Sequence, residues 1–143
     1  FLHPRCPCSA ASIAQLDRVL RRYPGRFRTW VLIVRPEGVP KAWEEGTNAE
    51  AARRLPDSTM LLDPAGSLAR QFGALYSGTV QAFDHQGNRL FAGGITASRG
   101  HEGESLGSLS LQDIGAGKVP GAASMPVFGC PLMGIKQRQG AQT

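Results

Sequence analysis

Apolar positions along the chain alternate between helical and strand-like patterns, and that alternation sets the expected fold. In residues 9–22, Ile13, Leu16, Val19 and Leu20 recur at three- and four-residue steps. This predicts a helix with one apolar face, ended by Pro24-Gly25. Residues 29–34, Thr-Trp-Val-Leu-Ile-Val, form a continuous apolar run that predicts a buried parallel strand. Thr47-Asn48-Ala49-Glu50 has capping-box spacing and opens a short helix to about residue 54, which Pro56-Asp57 breaks. Residues 58–62 predict a short strand. Asp63-Pro64 then starts a helix to about residue 72, with Asp63 as cap and Pro64 in the first turn. Residues 79–84 and 89–95 predict a hairpin around His85-Gln86-Gly87-Asn88, where Gly87 supplies positive φ. A polar, Gly-rich loop follows over 96–103. A last helix is expected over 104–115, with Leu106, Leu109 and Leu111 available for packing. Residues 1–4 read as the end of a strand whose beginning is cut off.

The order is β-α-β-α-β-α-β-β-α. Strands joined by helices run parallel through right-handed crossovers, and the last two are antiparallel. The expected fold class is therefore α/β: one open mixed sheet, first strand truncated, with helices on both faces. Residues 1–116 make the domain. Residues 117–143 are a Gly/Pro-rich tail without clear periodicity, expected to lie extended and to dock on the functional site.

Length and charge narrow the picture. The 143 residues suit about one domain. The net charge of +5 comes largely from Arg18, Arg21, Arg22, Arg26 and Arg28. These alternate with the helical apolar stripe, as on a solvated helix face, and no interleaved aromatics offer a platform for bases. Nucleic acid is thus not an expected partner. No apolar run approaches the roughly 20 residues that span a bilayer, so the stretch is expected to be soluble. The chain opens at Phe1-Leu2-His3, which suggests a processed piece with any anchor or targeting segment upstream.

The three cysteines carry the candidate chemistry. They are too few for a disulfide scaffold. Cys6 and Cys8 lie in Arg5-Cys6-Pro7-Cys8-Ser9, where a strand ends and a helix begins. Pro7 as first helical residue makes Cys6 the cap and Cys8 a first-turn residue. Free N–H groups and the helix dipole there favour thiolate. Cys6, at the tip, is expected to be the more accessible thiol and Cys8 the more buried. His3 lies on the strand that leads into this turn, and is expected there as a core or solvent-edge residue.

Three stretches resemble the thioredoxin-like superfamily, most closely its extracytoplasmic thiol–disulfide oxidoreductase and peroxiredoxin-like branch. They are Cys6-Pro7-Cys8 before an amphipathic helix, the Asp-Pro segment of residues 61–73, and the strand and turn of residues 78–88. Residues 98–103 and 126–132 are similar to a bacterial thioredoxin-like group. The resemblance implies a thioredoxin-like fold and a thiol–disulfide oxidoreductase acting on protein or small-molecule thiols and disulfides, without a cofactor. Its setting would be the periplasm or another extracytoplasmic space, with possible membrane anchoring through a missing N-terminal segment. Cys6 attacks, and Cys8 or Cys130 resolves. In that topology Gly78 and Thr79 border the site, and the loop carrying Arg99, His101 and Glu102 arrives at the same edge.

Two departures stand out. Only Pro7 separates the cysteines, where the family has two residues. Gly78 stands where the family has a cis-proline, and a trans peptide is expected there because a non-proline cis bond costs about 2.5–4 kcal/mol. An alternative stays open: a metal carrier in which Cys6, Cys8, His101 and Cys130 form a soft site for Cu(I) or Zn(II). The fifteen residues from Ala116 to Cys130 reach up to about 50 Å, enough to return Cys130 to the cysteine motif.

Overall fold

The computed structural model of the protein describes residues 1–133. Its elements are α1 (Ser9–Arg22), β1 (Thr29–Arg35), a 3-10 turn (Lys41–Glu44), α2 (Thr47–Arg53), β2 (Ser58–Pro64), α3 (Ser67–Gln71), β3 (Val80–Phe83), β4 (Arg89–Gly93), α4 (Leu106–Gly115) and β5 (Ser124–Met125). The class is mixed α/β. In place of the single regular sheet expected, there are two small ones: β1 paired in parallel with β2, and β3-β4-β5.

Residues 1–3 lie between the two. Leu2 donates to the Leu32 carbonyl and accepts from Val34, at 2.8 and 3.0 Å, as in a parallel pair. On the other side, Phe1 donates to the Thr79 carbonyl and accepts from Gly78, both at 2.9 Å. The short strand that precedes the cysteines therefore joins the two ladders, and β3 runs antiparallel to it.

The core follows the strand period of two. Leu2, Val31 and Ile33 face Ile13 and Leu20 of α1, Ala52 of α2 and Leu55 just after it. Phe91 and Ile95 pack with Val19 of α1 and Leu111 of α4. On the opposite face, Val34 meets Ala69 of α3, Ala74 and Leu132, with Phe1 beside them. Three helices thus cover one face. Among the described residues the other face carries α3 and the 130–133 segment, and Trp30, Leu61, Phe72 and Phe83 stay 40–53% exposed.

Several local expectations are corrected. Thr47 is not a cap: Gly46 holds that place at φ 140°, and Glu50 N–H bonds the Gly46 carbonyl. β2 runs on through Pro64, and Ala65 and Gly66, both left-handed, delay α3 to Ser67. Asp63 still serves that helix, but from four residues upstream. Its buried carboxylate accepts from Leu68 N–H at 2.9 Å and Ala69 N–H at 2.8 Å.

α4 begins at a Ser105/Ser108 capping box. Leu106 and Leu109 face solvent. The helix packs through Leu111 and small residues instead, with Gly107 set against the Gly94 carbonyl too closely for a Cβ. The tail also supplies β5, which no periodicity announced. Glycine at 93 lets the Met125 backbone come within a distance that a side chain would forbid.

Candidate functional site

The site grows from the turn between residues 1–3 and α1. Cys6 N–H bonds the His3 carbonyl, and Ser9 N–H bonds the Cys6 carbonyl, both at 3.1 Å. α1 starts at Ser9 with Cys8 as its cap residue. The helix thus begins after the motif, and Cys6 lies before the cap rather than at it. Burial reverses the expected order as well: Cys6 is 0% exposed, whereas Cys8 is half-buried. The reason is the chain that lies over Cys6.

That chain is the segment around Cys130. Cys130 N–H donates to Cys6 Sγ at 3.3 Å. Ser77 N–H bonds the Cys130 carbonyl at 2.8 Å, and Leu132 N–H bonds the Leu75 carbonyl at 2.9 Å, so residues 130–132 run beside 75–77. Gly129 rests on the Ser77 carbonyl with no room for a Cβ. Leu132 is 1% exposed and anchors the segment in the core.

Ser77 is the hub beneath. Its hydroxyl accepts from His3 N–H at 2.8 Å and lies 2.6 Å from the Ser9 hydroxyl. On the far side, buried Asn48 donates to the Cys6 carbonyl at 2.7 Å and ties α2 to the cysteine turn. Arg5 stacks over Trp43 at 5.0 Å, and His3 meets the same ring edge-on at 5.1 Å. Burial, with the Arg5 charge adding to it, pushes His3 below its usual value.

These contacts polarise the cysteine pair. Burial pushes the Cys6 thiol up. Hydrogen bonds from the Cys130 thiol, the Ser9 hydroxyl and the backbone N–H groups of Cys130 and Cys8 outweigh it and bring it down to about 7. Cys130 moves up to about 11, through its bond to Cys6, its burial and the charges of Cys6 and Cys8; Arg99 opposes the shift. Between these two values the Cys6–Cys130 pair holds one proton and one negative charge, with Cys6 the more acidic partner. Ser9→Ala removes one donor to the thiolate, so the Cys6 ionisation should move above its value of about 7. Thiolate absorbance followed against pH reads this directly, and an unmoved midpoint would exclude Ser9 as a donor.

The other residues named from the sequence are placed as follows. Gly78 and Thr79 sit next to Ser77, and the chain contains no cis peptide bond among the described residues. Gly78 N–H and the Thr79 carbonyl are taken up in pairing with Phe1, so they do not present free backbone to a ligand. The 98–103 loop packs along α1 rather than over its start. Glu102 pairs with Arg18 at 2.6 Å, and Gly103 N–H bonds Gln15, seven to ten positions past Cys8, or about 10–15 Å down the helix. Arg99 bears on the site through its charge near Cys130. Among the described residues no three His, Cys, Asp or Glu side chains, His101 with the cysteines included, stand together as metal ligands.

Sequence reasoning missed Ser77 and Asn48 as parts of the site. Ser77 was within reach of it, one residue before Gly78. Asn48 had no signal, being 42 residues from Cys6 and joined to it only by the packing of α2.

No protein-family model and no curated protein matches the chain. Among the solved structures that share its fold are two proteins without an assigned function. A hypothetical protein from Sinorhizobium meliloti superposes with a TM-score of 0.70 at 20% identity, over 92% of this chain and 75% of that one. An uncharacterised conserved protein from Geobacillus kaustophilus gives 0.68 at 18% identity, over 93% of this chain and 74% of that one.

Proposed function

We propose that the protein is a thiol–disulfide oxidoreductase of the thioredoxin-like superfamily, with Cys6 of Cys6-Pro7-Cys8 as its reactive thiolate. The observation that carries this reading is the Cys6 sulfur. It is buried at a strand-to-helix turn and receives an N–H and a thiol hydrogen bond from Cys130. Burying a thiol without donors raises its pKa and makes it inert; surrounding it with donors makes a nucleophile. Support for the thioredoxin-like assignment is topological. A short strand is followed by cysteines and a helix, pairs in parallel with β1, and is flanked by the antiparallel β3-β4 hairpin. The resemblance behind this reading also suggests a periplasmic or other extracytoplasmic setting and protein or low-molecular-weight disulfides as substrates. No helix among the described residues is long and apolar enough to cross a membrane.

The test is the pH dependence of exchange with a chromogenic aromatic disulfide, run beside a metal assay of the purified protein. The expected rate profile has its midpoint at about 7, set by Cys6. A midpoint near the ordinary thiol value of about 8.5 would contradict the reading. Copper or zinc bound one per chain would contradict this reading and favour the alternative expected from the sequence, a metal carrier using Cys6, Cys8, His101 and Cys130, whose side chains would then have to move together.

A further inference from the structure

Cys8 is the resolving cysteine that the motif suggests, but the geometry favours another partner for Cys6. Cys6 lies in the turn before α1, whereas Cys8 is the cap residue of that helix. Cys8 already has helical backbone angles, φ −70° and ψ −22°, and Ser9 N–H closes the turn onto Cys6. Cys8 is half-buried while Cys6 is fully covered, so the two side chains occupy different surroundings.

Cys130 is held against Cys6 from the other side. Its N–H touches the Cys6 sulfur, and its side chain is the largest of the influences that lower the Cys6 pKa. Its place is fixed at three points: the carbonyl bond to Ser77, the Leu132 bond to Leu75 with Leu132 sunk in the core, and the side-chain-free contact of Gly129 with Ser77. A Cys6–Cys130 bond would join the start of α1 to a segment 124 residues away whose backbone already touches the Cys6 sulfur.

Resting on the thiol–disulfide reading above, we infer that the oxidised protein carries a Cys6–Cys130 disulfide, that Cys8 remains a free thiol, and that the 126–133 segment gates access to Cys6. Because the segment covers Cys6, it must lift before a disulfide RSSR can reach the sulfur. The Cys6 thiolate then attacks one sulfur, forming Cys6–S–S–R and releasing RS⁻. When the segment reseats, Cys130 gives its proton to solvent and attacks the Cys6 sulfur. The Cys6–Cys130 bond forms and the second RS⁻ leaves. Two protein thiols are oxidised and one disulfide is reduced to two thiols.

The test oxidises the full chain with excess glutathione disulfide, alkylates the remaining thiols and maps the peptides by mass. The expected result is a crosslink between the Cys6 and Cys130 peptides, with Cys8 alkylated. Cys8→Ser should still form this crosslink. Cys130→Ser should stop at Cys6 joined to glutathione. Gly129→Ala, which pushes the segment off Ser77 while keeping every thiol, should speed the first step, the joining of Cys6 to glutathione, and slow its conversion to the crosslink several-fold. A Cys6–Cys8 disulfide in the wild-type chain, with Cys130 alkylated, would overturn the inference and leave the oxidoreductase reading standing. All three cysteines alkylated after oxidation would overturn both.

Discussion

Cys6→Ser should remove the phase of reaction with disulfides that follows the ionisation at about 7, erase that ionisation, and leave the slower reaction of the half-buried Cys8. At that value about half the thiol is ionised at pH 7, against about 3% for an ordinary thiol near 8.5. Ionisation alone then favours Cys6 about fifteenfold. The less basic thiolate is also a weaker nucleophile, by about fivefold for a Brønsted slope near 0.45, which leaves a net gain of about threefold. The larger effect of the substitution is loss of the nucleophile itself, since serine does not ionise in this range. Cys8→Ser separates the two positions of the motif. Cys8 acts on Cys6 through its backbone N–H, which serine retains, so the step at about 7 should persist. Thiolate absorbance against pH checks both variants. A step at about 7 in Cys6→Ser would assign the low ionisation to another cysteine.

Asp63→Ala should destabilise the protein by about 3 kcal/mol, through hydrogen bonds rather than packing. The carboxylate is 0% exposed and accepts from Leu68 N–H, Ala69 N–H and the Ser67 hydroxyl. Alanine leaves the two N–H groups without a partner, and Ala69 lies in the core. Asp63→Asn keeps one oxygen and should lose about half as much. The urea midpoint reports this, with an unchanged slope showing that the folded state is otherwise intact. A loss under about 1 kcal/mol would mean that α3 finds other partners for its N-terminal groups.

What the sequence revealed followed from local rules. The α1 stripe of Ile13, Val19 and Leu20 is buried, because three- and four-residue spacing puts these side chains on one face whatever the rest does. The hairpin turn was legible because Gly87, at φ 85°, meets a backbone demand that few residues can. The start of α1 was less so: Pro7 suits a first helical position, but Cys6 was needed as a turn residue covered by the chain around Cys130.

The failures share a cause. Thr47 has the spacing of a capping box, yet Gly46 takes the cap and Asn48 turns to the Cys6 carbonyl. Leu106 and Leu109 look like core and are exposed, because α4 approaches through Gly107 and the backbone of Gly94. Each depends on a partner far away in the chain, which spacing does not encode. In the segment before residue 133, Leu132 is sunk in the core, Gly129 makes the closest approach, and Phe128 stays exposed.

The most direct test of the account counts free thiols while the intact chain equilibrates with glutathione buffers of graded redox ratio. Of its three cysteines, two should disappear together in one reversible transition, leaving one reactive thiol per chain. Three free thiols at every ratio would contradict the account.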